Sequence, residues 1–314
     1  MAGEAVAGGS GVRTHRWLEW TLEELVALKG ETRVSLVVPA RNEAATVGGV
    51  VSRLRSALME TVALVDEIVV IDSDSTDATA DVAAAAGASV FASASIRPEL
   101  GSYPGKGEAM WKSLFVTTGD VIVFIDADLV EWDTHFVPGL LGPLLAFPEV
   151  ELVKGFYERP GEAGPLDGGR VTELVARPVL ALSWPELSGV IQPLAGEWAI
   201  RRSLFSTLAV PVGYAVEIAA LIDTVSLRGI DAIAQVDLGV RGHRHQPLLD
   251  LGLMATQLLS SVRRRQSYAE HEAAPTSAVT LTQWGRATSG RIEPVEREVL
   301  TLERPPAFAI PPVE

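Results

Sequence analysis

Short apolar runs alternate with segments of helical periodicity through the first half of the chain. These runs are rich in β-branched residues and contain no polar alternation, which is typical of strands buried on both faces of a parallel sheet. The three clearest runs are 34–38, 67–71 and 121–125. Helical periodicity follows them and ends near Leu58, Gly87 and Phe147. The pattern predicts an α/β fold with a Rossmann-like, mostly parallel sheet flanked by helices.

Weaker patterns complete the prediction. Pro39 is expected to end the first of these strands, and Pro178 to make a helix that begins near Gly168 irregular. Further strands are predicted at 89–92 and 152–157, and further helices at 16–28, 106–118, 216–228 and 248–264. We divide the chain into a flexible start with a short helix, two halves of one α/β domain and a carboxyl-terminal tail. Their bounds are 1–30, 31–158, 159–265 and 266–314.

Composition limits the possible partners. The 314 residues include 47% hydrophobic ones, enough for a large core, and carry a formal net charge of −14. Nucleic acid and anionic membranes require a basic surface, so both are disfavoured. The absence of cysteine excludes disulfides, thiolate metal sites and a cysteine nucleophile. No apolar run reaches the about 18 residues of a membrane span, and the Gly/Ala-rich start resembles no signal peptide. A cytoplasmic protein without a membrane span is expected.

Two acids stand where the strand at 121–125 leaves the sheet. Ligands of open α/β sheets bind outside the carboxyl ends of the strands, which places Asp126 and Asp128 at a candidate site. One carboxylate can bind a divalent cation while the other meets a ribose hydroxyl, as a metal-held diphosphate requires. The alternative is that one of them only caps the following helix.

Two polar turns carry weaker signals. Asp72 and Ser73 end the strand at 67–71, and Asp77 is a candidate N-cap of the next helix; the turn lacks the spacing of a calcium loop. Lys106 lies between two glycines at a helix start, where backbone N–H groups and an ammonium could approach a phosphate. It is not a Walker A loop, and no Gly-x-Gly-x-x-Gly follows the first strand, so nicotinamide cofactors are disfavoured.

Taken together, these motifs resemble the nucleotide-sugar half of family 2-like glycosyltransferases with the GT-A fold. The stretches are 37–43, 71–77, 104–107 and 126–128. Four stretches of the second half resemble the retaining glucosyl-3-phosphoglycerate synthases of actinobacteria. They are 168–174, 194–197, 213–218 and 241–245. The resemblance covers about residues 33 to 265.

The resemblance implies a donor site for UDP-glucose. It assigns to it Pro39, Ala40, Arg41, Glu43, Ser73, Gly105, Lys106, Asp126 and Tyr214. It further implies that Asp128 and His243 bind the metal, Mg²⁺ with Mn²⁺ or Co²⁺ as substitutes, and that His245 has a structural role or contacts substrate. The catalytic residues would be Glu217, Asp128 and His243, with Glu217 facing the sugar in a front-face exchange that retains the anomeric configuration. A homodimer is also implied.

The acceptor site can be argued from the residues as well. Gly169, Arg170 and Thr172 combine helix-start N–H groups, a guanidinium and a hydroxyl, which suit a phosphate. The resemblance makes this the phosphate of 3-phosphoglycerate, with Arg241 at the acceptor carboxylate or the diphosphate. Three alternatives stay open at this stage: GDP-mannose as donor, a sugar nucleotidyltransferase, and a non-catalytic nucleotide-sugar binding protein.

Overall fold

The computed structural model describes residues 11–158, 169–242, 247–267, 277–286 and 292–312. In chain order the strands are β1 (Arg13–Arg16), β2 (Val34–Ala40), β3 (Glu67–Asp72), β4 (Ser89–Ala92), β5 (Val121–Phe124), β6 (Leu152–Glu158), β7 (Trp198–Arg201), β8 (Val210–Pro211), β9 (Ile233–Val240), β10 (Ala278–Arg286), β11 (Ile292–Leu300) and β12 (Glu303–Arg304). The α-helices are α1 (Leu22–Lys29), α2 (Val47–Arg55), α3 (Thr79–Ala85), α4 (Lys106–Ser113), α5 (Phe136–Ala146), α6 (Arg177–Ser183), α7 (Arg202–Phe205), α8 (Val216–Arg228) and α9 (Leu248–Ser267).

Eight strands form one sheet, in the order β1-β9-β6-β7-β5-β2-β3-β4. All neighbours are parallel except β7, which runs antiparallel to both β5 and β6. The predicted mostly parallel sheet flanked by helices is therefore confirmed. Because β5, β2 and β3 are adjacent and parallel, their carboxyl ends meet at one edge of the sheet. We call this edge, where Ala40 and Asp72 are paired, the site edge.

The sheet is buried on both faces, as the apolar runs predict. Every residue from Val121 to Ile125 is fully buried. One face packs mainly under α1, α2 and α5, and the other under α4, α8 and α9. Full burial of a Val, Leu, Ile or Phe side chain contributes about 1.5–3 kcal/mol, so the central strands anchor both layers.

The first and last thirds differ from the predicted elements. The helix expected at 16–28 is shorter in the structure. Arg16 ends β1, which pairs in parallel with β9 at the edge of the sheet, a 3-10 turn covers Trp17–Glu19, and α1 begins only at Leu22. Strand β2 continues past Pro39 to Ala40. Its ladder with β5 ends at Val37, so position 39 has no hydrogen bond to supply on that side.

The helix near Pro178 shows the expected irregularity. It starts at Arg170, has a π-helical run over Thr172–Ala176, and continues as α6. Proline supplies no N–H to the preceding turn, which accounts for the wider winding there.

The pattern at the carboxyl end gave no strand prediction. Strands β10 and β11 pair as an antiparallel hairpin, and β12 pairs with β8. In the part of the chain that the structure describes, no helix is both long and apolar enough to cross a membrane.

Candidate active site

A lysine and two carboxylates form the centre of the site edge. Lys106 is the first residue of α4, and its Nζ lies 2.5 Å from Asp126 Oδ1 and 3.1 Å from Glu217 Oε1. Asp126 follows β5, and Glu217 lies in the first turn of α8 with its side chain 5% exposed. The structure thus brings together three of the predicted residues: Lys106 and Asp126, 20 positions apart, and Glu217, about 90 positions further along the chain. It leaves one ammonium facing two carboxylates.

Electrostatics favour the charged forms of Lys106 and Asp126. Burial lowers the pKa of Lys106, but the facing carboxylates of Asp126 and Glu217 raise it well above its ordinary value. Burial likewise raises the pKa of Asp126, but Lys106 and then Arg241 hold it well below its usual range. Lys106 and Asp126 are therefore both ionised at neutral pH.

The two glycines beside Lys106 have a packing role that the sequence analysis did not identify. Gly105 has φ +140°, and a Cβ there would lie 2.3 Å from the carbonyl oxygen of Val212. A Cβ on Gly107 would lie 1.8 Å from that of Pro211. The N–H groups of Gly107 and Glu108 donate to the carbonyls of residues 213 and 212. These two N–H groups are therefore not available to a phosphate, in contrast to our expectation, and Lys106 is left as the cationic group of this turn.

Arg241 joins the two acids after β5 to a buried tyrosine and glutamate. Its Nη2 lies 3.3 Å from Asp126 Oδ2 and 3.2 Å from Asp128 Oδ1. Its Nη1 donates to the Tyr157 hydroxyl at 2.6 Å and lies 3.0 Å from Glu197 Oε1. The guanidinium therefore neutralises both members of the Asp-x-Asp pair. Asp128 keeps a side chain 47% exposed, so its carboxylate remains accessible from solvent.

Glu197, Tyr157 and Lys154 are parts of the site that the sequence analysis missed. Glu197 is completely buried and accepts a hydrogen bond from the Tyr157 hydroxyl at 2.8 Å. Burial raises the pKa of Glu197, against the lowering effect of Arg241. Lys154, in β6, donates to the Ala195 carbonyl at 2.5 Å, and burial lowers its pKa to about 7. A lysine inside an apolar strand was a visible signal, since buried lysines are rare.

Gly196 is a further missed residue. A Cβ at this position would lie 2.2 Å from Asp126 Oδ2 and 2.6 Å from Lys106 Nζ. Real Cβ atoms do not approach other atoms so closely, so any side chain here would separate the lysine from the aspartate. The sequence signal was a glycine followed by an acid directly before an apolar run, at the start of β7.

The glycine at position 196 leads to a first prediction. Gly196→Ala is expected to lower kcat/KM for the donor by about tenfold to a hundredfold, because displacement of reacting groups by about 1 Å has costs of this order. Steady-state kinetics with both substrates would measure it. Gly49→Ala is the matched control, because position 49 has no atom near the added methyl group and lies inside α2, where alanine is favoured. Wild-type kinetics for Gly196→Ala would contradict this role.

The residues assigned to the nucleoside lie around the carboxyl ends of β2 and β3. Pro39 and Ala40 end β2, and the Ser73 N–H donates to the Ala40 carbonyl at 2.9 Å. Arg41 is exposed, and Glu43 accepts a hydrogen bond from Thr46. The loop after β2 is tied to the loop after β3 through Asn42, whose side chain accepts from the Thr76 N–H at 2.8 Å. This hydrogen bond holds the loop after β2 against the loop after β3 at the site edge.

Asp77 stabilises the same loops. Its carboxylate accepts hydrogen bonds from the N–H groups of Thr79 at 3.0 Å and Ala44 at 3.2 Å. Ala78 precedes the first residue of α3, so the predicted N-cap position is off by one residue, although Asp77 does bond the helix start.

The acceptor residues are placed at the start of the helix over 170–183. Gly169 has φ +89°, Arg170 is exposed, and Thr172 is buried. The N–H of Glu173 is already used by the Gly169 carbonyl, at 3.0 Å. Tyr214 has its side chain largely in solvent, and its N–H donates to Gln257 Oε1 at 2.9 Å. Their assignment to acceptor and donor stays a prediction.

The predicted metal ligands are only partly described. His243 and His245 lie outside the described residues. Among the residues that are described, no group of three or more acidic or histidine side chains is arranged to hold a metal. Asp128 nevertheless fits a hard cation: its oxygens are accessible, and the Asp126–Asp128 pair already attracts the positive charge of Arg241.

The chain is similar in sequence to known proteins. A sequence model of the family described as Glycosyl transferase family 2 matches residues 35–165. The glucosyl-3-phosphoglycerate synthase of Mycolicibacterium smegmatis is 46% identical over 310 residues, which cover 95% of this chain and 99% of that protein.

Solved structures are similar over the same extent. The glucosyl-3-phosphoglycerate synthase of Mycobacterium tuberculosis in complex with Mn²⁺, UDP-glucose and phosphoglyceric acid superposes with a TM-score of 0.82 at 44% identity, covering 95% of this chain and 99% of that one. Its complex with Mg²⁺ and UDP superposes with a TM-score of 0.83 at 44% identity, covering 95% and 98%.

Proposed function

The chain belongs to the family of glucosyl-3-phosphoglycerate synthases, and we propose that it makes glucosyl-3-phosphoglycerate from UDP-glucose and 3-phosphoglycerate. The resemblance drawn from the sequence motifs is thereby confirmed. The structural observation that carries the proposal is the cluster of Lys106, Asp126, Glu217 and Arg241 at the site edge, beside the accessible Asp128. It combines cations for a diphosphate with carboxylates for a sugar and a metal.

The reaction exchanges one bond at the anomeric carbon for another on the same face. The bond from this carbon to the donor's phosphate oxygen breaks, and a bond to the acceptor's 2-hydroxyl oxygen forms. The acceptor proton passes to the departing phosphate oxygen. No protein nucleophile is needed, which agrees with a Glu217 that is already paired with Lys106 at 3.1 Å.

In our proposal each side chain of the cluster has one task. Lys106 donates to the diphosphate and stabilises the charge that develops on it. Asp126 binds the ribose and orients Lys106, to which it is held at 2.5 Å. Glu217 faces the sugar and stabilises positive charge at the anomeric carbon. Arg241 holds Asp126 and Asp128 in place and lies near the acceptor carboxylate or the diphosphate.

The residues also fit a divalent cation. Asp128 would hold it, with His243 as a second ligand, and the cation would neutralise negative charge on the leaving diphosphate. The Mycobacterium tuberculosis relative described above was crystallised with Mn²⁺ and with Mg²⁺. We therefore propose Mg²⁺ as the working metal, with Mn²⁺ or Co²⁺ able to replace it.

Removal of the metal tests this assignment. Excess chelator is expected to abolish transfer, and added Mn²⁺ to restore it. His243→Ala should raise the Mn²⁺ concentration for half-maximal activity by about tenfold or more, because one ligand is lost. Asp74→Asn serves as the control: it removes an exposed acid from the same edge, in a left-handed conformation (φ +57°) that asparagine tolerates. Full activity in excess chelator would rule out the metal site.

The acceptor site makes a separate prediction. Arg170→Ala is expected to lower kcat/KM for 3-phosphoglycerate by about tenfold to a hundredfold, because a charge-assisted contact contributes about 1.5–3 kcal/mol. The donor should bind as before. Arg177→Ala is the control from the same helix, because Arg177 pairs with Glu173 at 2.7 Å and is assigned no substrate. If Arg170→Ala weakened UDP-glucose binding and left acceptor saturation unchanged, the two half-sites would be exchanged.

One experiment tests the function as a whole. The protein is incubated with Mg²⁺ and 3-phosphoglycerate, and in turn with UDP-glucose and GDP-mannose, and the products are weighed by mass spectrometry. We expect hexosyl-phosphoglycerate with UDP-glucose. No product with either donor would overturn the proposal. Product from GDP-mannose alone would make GDP-mannose the donor instead of UDP-glucose.

We also propose that the enzyme works in the cytoplasm as a homodimer. Light scattering after gel filtration would test the homodimer.

A further inference from the structure

The last described part of the chain lies directly against the segments that hold Lys106. Residues 300–305, which we call the C-terminal clasp, include β12 and pass beside β8 and the start of α4. The N–H of Val212 donates to the Leu302 carbonyl at 3.2 Å, and Trp111 Nε1 donates to the Pro305 carbonyl at 2.9 Å. The clasp is therefore bonded both to the residue that follows β8 and to α4.

Arg304 makes the central contacts of the clasp. Its guanidinium donates bidentately to Glu108, at 2.7 Å and 2.6 Å, and is only 7% exposed. It also donates to the carbonyls of Leu100 at 2.7 Å and Gly101 at 2.9 Å. The rings of Tyr103 and Trp111 lie on it, with centroids 4.7 Å and 4.8 Å from Cζ.

The residues that Arg304 contacts lie on both sides of Lys106 in the sequence. Leu100, Gly101 and Tyr103 lie before it, and Glu108 and Trp111 after it. The second support is β8, which β12 pairs with: the carbonyls that follow β8 accept the N–H groups of Gly107 and Glu108. Arg304 thus donates to the backbone carbonyls before Lys106. The N–H groups after Lys106 are bonded to residues that follow β8, and β8 pairs with β12 of the clasp.

We propose that Arg304 is a positioning residue for the donor: it sets the place of Lys106 and so the affinity for the diphosphate. This inference rests on the proposed function, in which Lys106 binds the diphosphate. Arg304 itself touches no substrate. It acts by fixing the turn at 100–105, which contains two glycines and makes no strand or helix of regular length.

The chemistry of arginine suits this task and that of lysine does not. Arginine presents its donors in a rigid planar fork and stacks on aromatic rings, whereas lysine is a point charge with a flexible stem. Four hydrogen bonds to three residues require the fork. A lysine at 304 could face Glu108 but could not bond both carbonyls before Lys106 at the same time.

The test compares two arginines at opposite ends of α4. Arg304→Met is compared with Arg202→Met, because Arg202 bonds the Leu114 carbonyl at 3.1 Å and Thr117 Oγ1 at 2.6 Å, beyond the far end of the helix. Both are partly buried guanidinium groups that hold a turn. Dissociation constants are measured by calorimetry for UDP with Mn²⁺ and for 3-phosphoglycerate, with thermal unfolding alongside. Arg304→Lys is included because it keeps a charge opposite Glu108 and so retains the fold if Arg304→Met does not.

We expect Arg304→Met to raise the Kd for UDP with Mn²⁺ by about tenfold or more and to leave that for 3-phosphoglycerate within about twofold. Arg304→Lys should show a smaller shift in the same direction. Arg202→Met should lower the unfolding temperature while its UDP affinity stays at the wild-type value. A purely structural role would lower the stability of both variants and change UDP binding in neither.

A double-mutant cycle with Lys106 identifies the route of the effect. If Arg304 acts through Lys106, Arg304→Met should weaken UDP binding no further in a Lys106→Met background. Full additivity, or wild-type UDP affinity in folded Arg304 variants, would overturn the proposal. Failure of the proposed function is distinguishable from this: the wild-type protein would then bind UDP with Mn²⁺ and form no glucosyl-phosphoglycerate, or would not bind UDP at all.

Discussion

Replacing Lys106 by methionine is expected to lower kcat/KM for UDP-glucose by about a thousandfold, corresponding to about 4 kcal/mol. Loss of the charge-assisted contact that we propose between Lys106 and the diphosphate would account for about 1.5–3 kcal/mol of this. The remainder arises because the ammonium would no longer balance the charges of Asp126 and Glu217. These two carboxylates would then repel the incoming phosphates. The reduction should appear mainly in donor binding and in the rate of transfer.

A second buried lysine provides the control for this experiment. Lys29 pairs with Asp66 at 3.0 Å, next to Val34 at the start of β2 and therefore at the opposite edge of the sheet. Lys29→Met should lower the unfolding temperature and leave kcat/KM within about twofold. The loss of an ion pair far from the site edge affects folding only. Equal kinetic losses in both variants would mean that Lys106 serves stability rather than the donor.

Glu217→Gln is expected to lower kcat by about a hundredfold while the dissociation constants of both substrates change little. The amide keeps the shape of the side chain but removes the charge that, in our proposal, faces the developing oxocarbenium ion, and an interaction made chiefly in the transition state is lost from kcat. The buried position, 4% exposed, strengthens the effect because water screens the charge poorly there.

Asp223→Asn is the matched change for Glu217→Gln. Asp223 lies on the same helix, α8, and pairs with Arg265 at 2.6 Å, away from the site edge. This variant should lose stability and keep its kcat. Single-turnover kinetics under saturating substrates would separate chemistry from binding in both variants. If Glu217→Gln instead raised the KM for 3-phosphoglycerate and left kcat unchanged, Glu217 would belong to the acceptor site.

Local sequence patterns were sufficient for the inner strands and for the chemistry at their ends. An apolar run such as 121–125 can only be stable when buried, and the parallel sheet it implies places the acids that follow it at a ligand-binding edge. Helix α8 was predicted with its observed bounds, because its periodicity is continuous and Gly229 follows its last residue. The family motifs added the assignments of residues to donor and acceptor, which stay predictions.

Patterns without strong periodicity were less informative. Strand β1 was not predicted, because its residues pair with β9 more than two hundred positions away and carry no alternation of their own. The antiparallel strand β7 was missed for a related reason: only three of its four residues are apolar, and only its neighbours β5 and β6 give it a direction.

The tertiary structure alone decided how charges are paired at the site edge. Sequence patterns identify Arg241 and the two acids after β5 as candidates, but the order of strands in the sheet brings Arg241 within 3.3 Å of Asp126 and places Glu197 and Tyr157 behind it. The need for glycine at position 196, and the bonds from Arg304 to the turn before Lys106, likewise depend on atoms far away in the chain. Helical and strand periodicity reports which side of an element faces the core, whereas ion pairs depend on distances between elements, and these are set only when the whole sheet has packed.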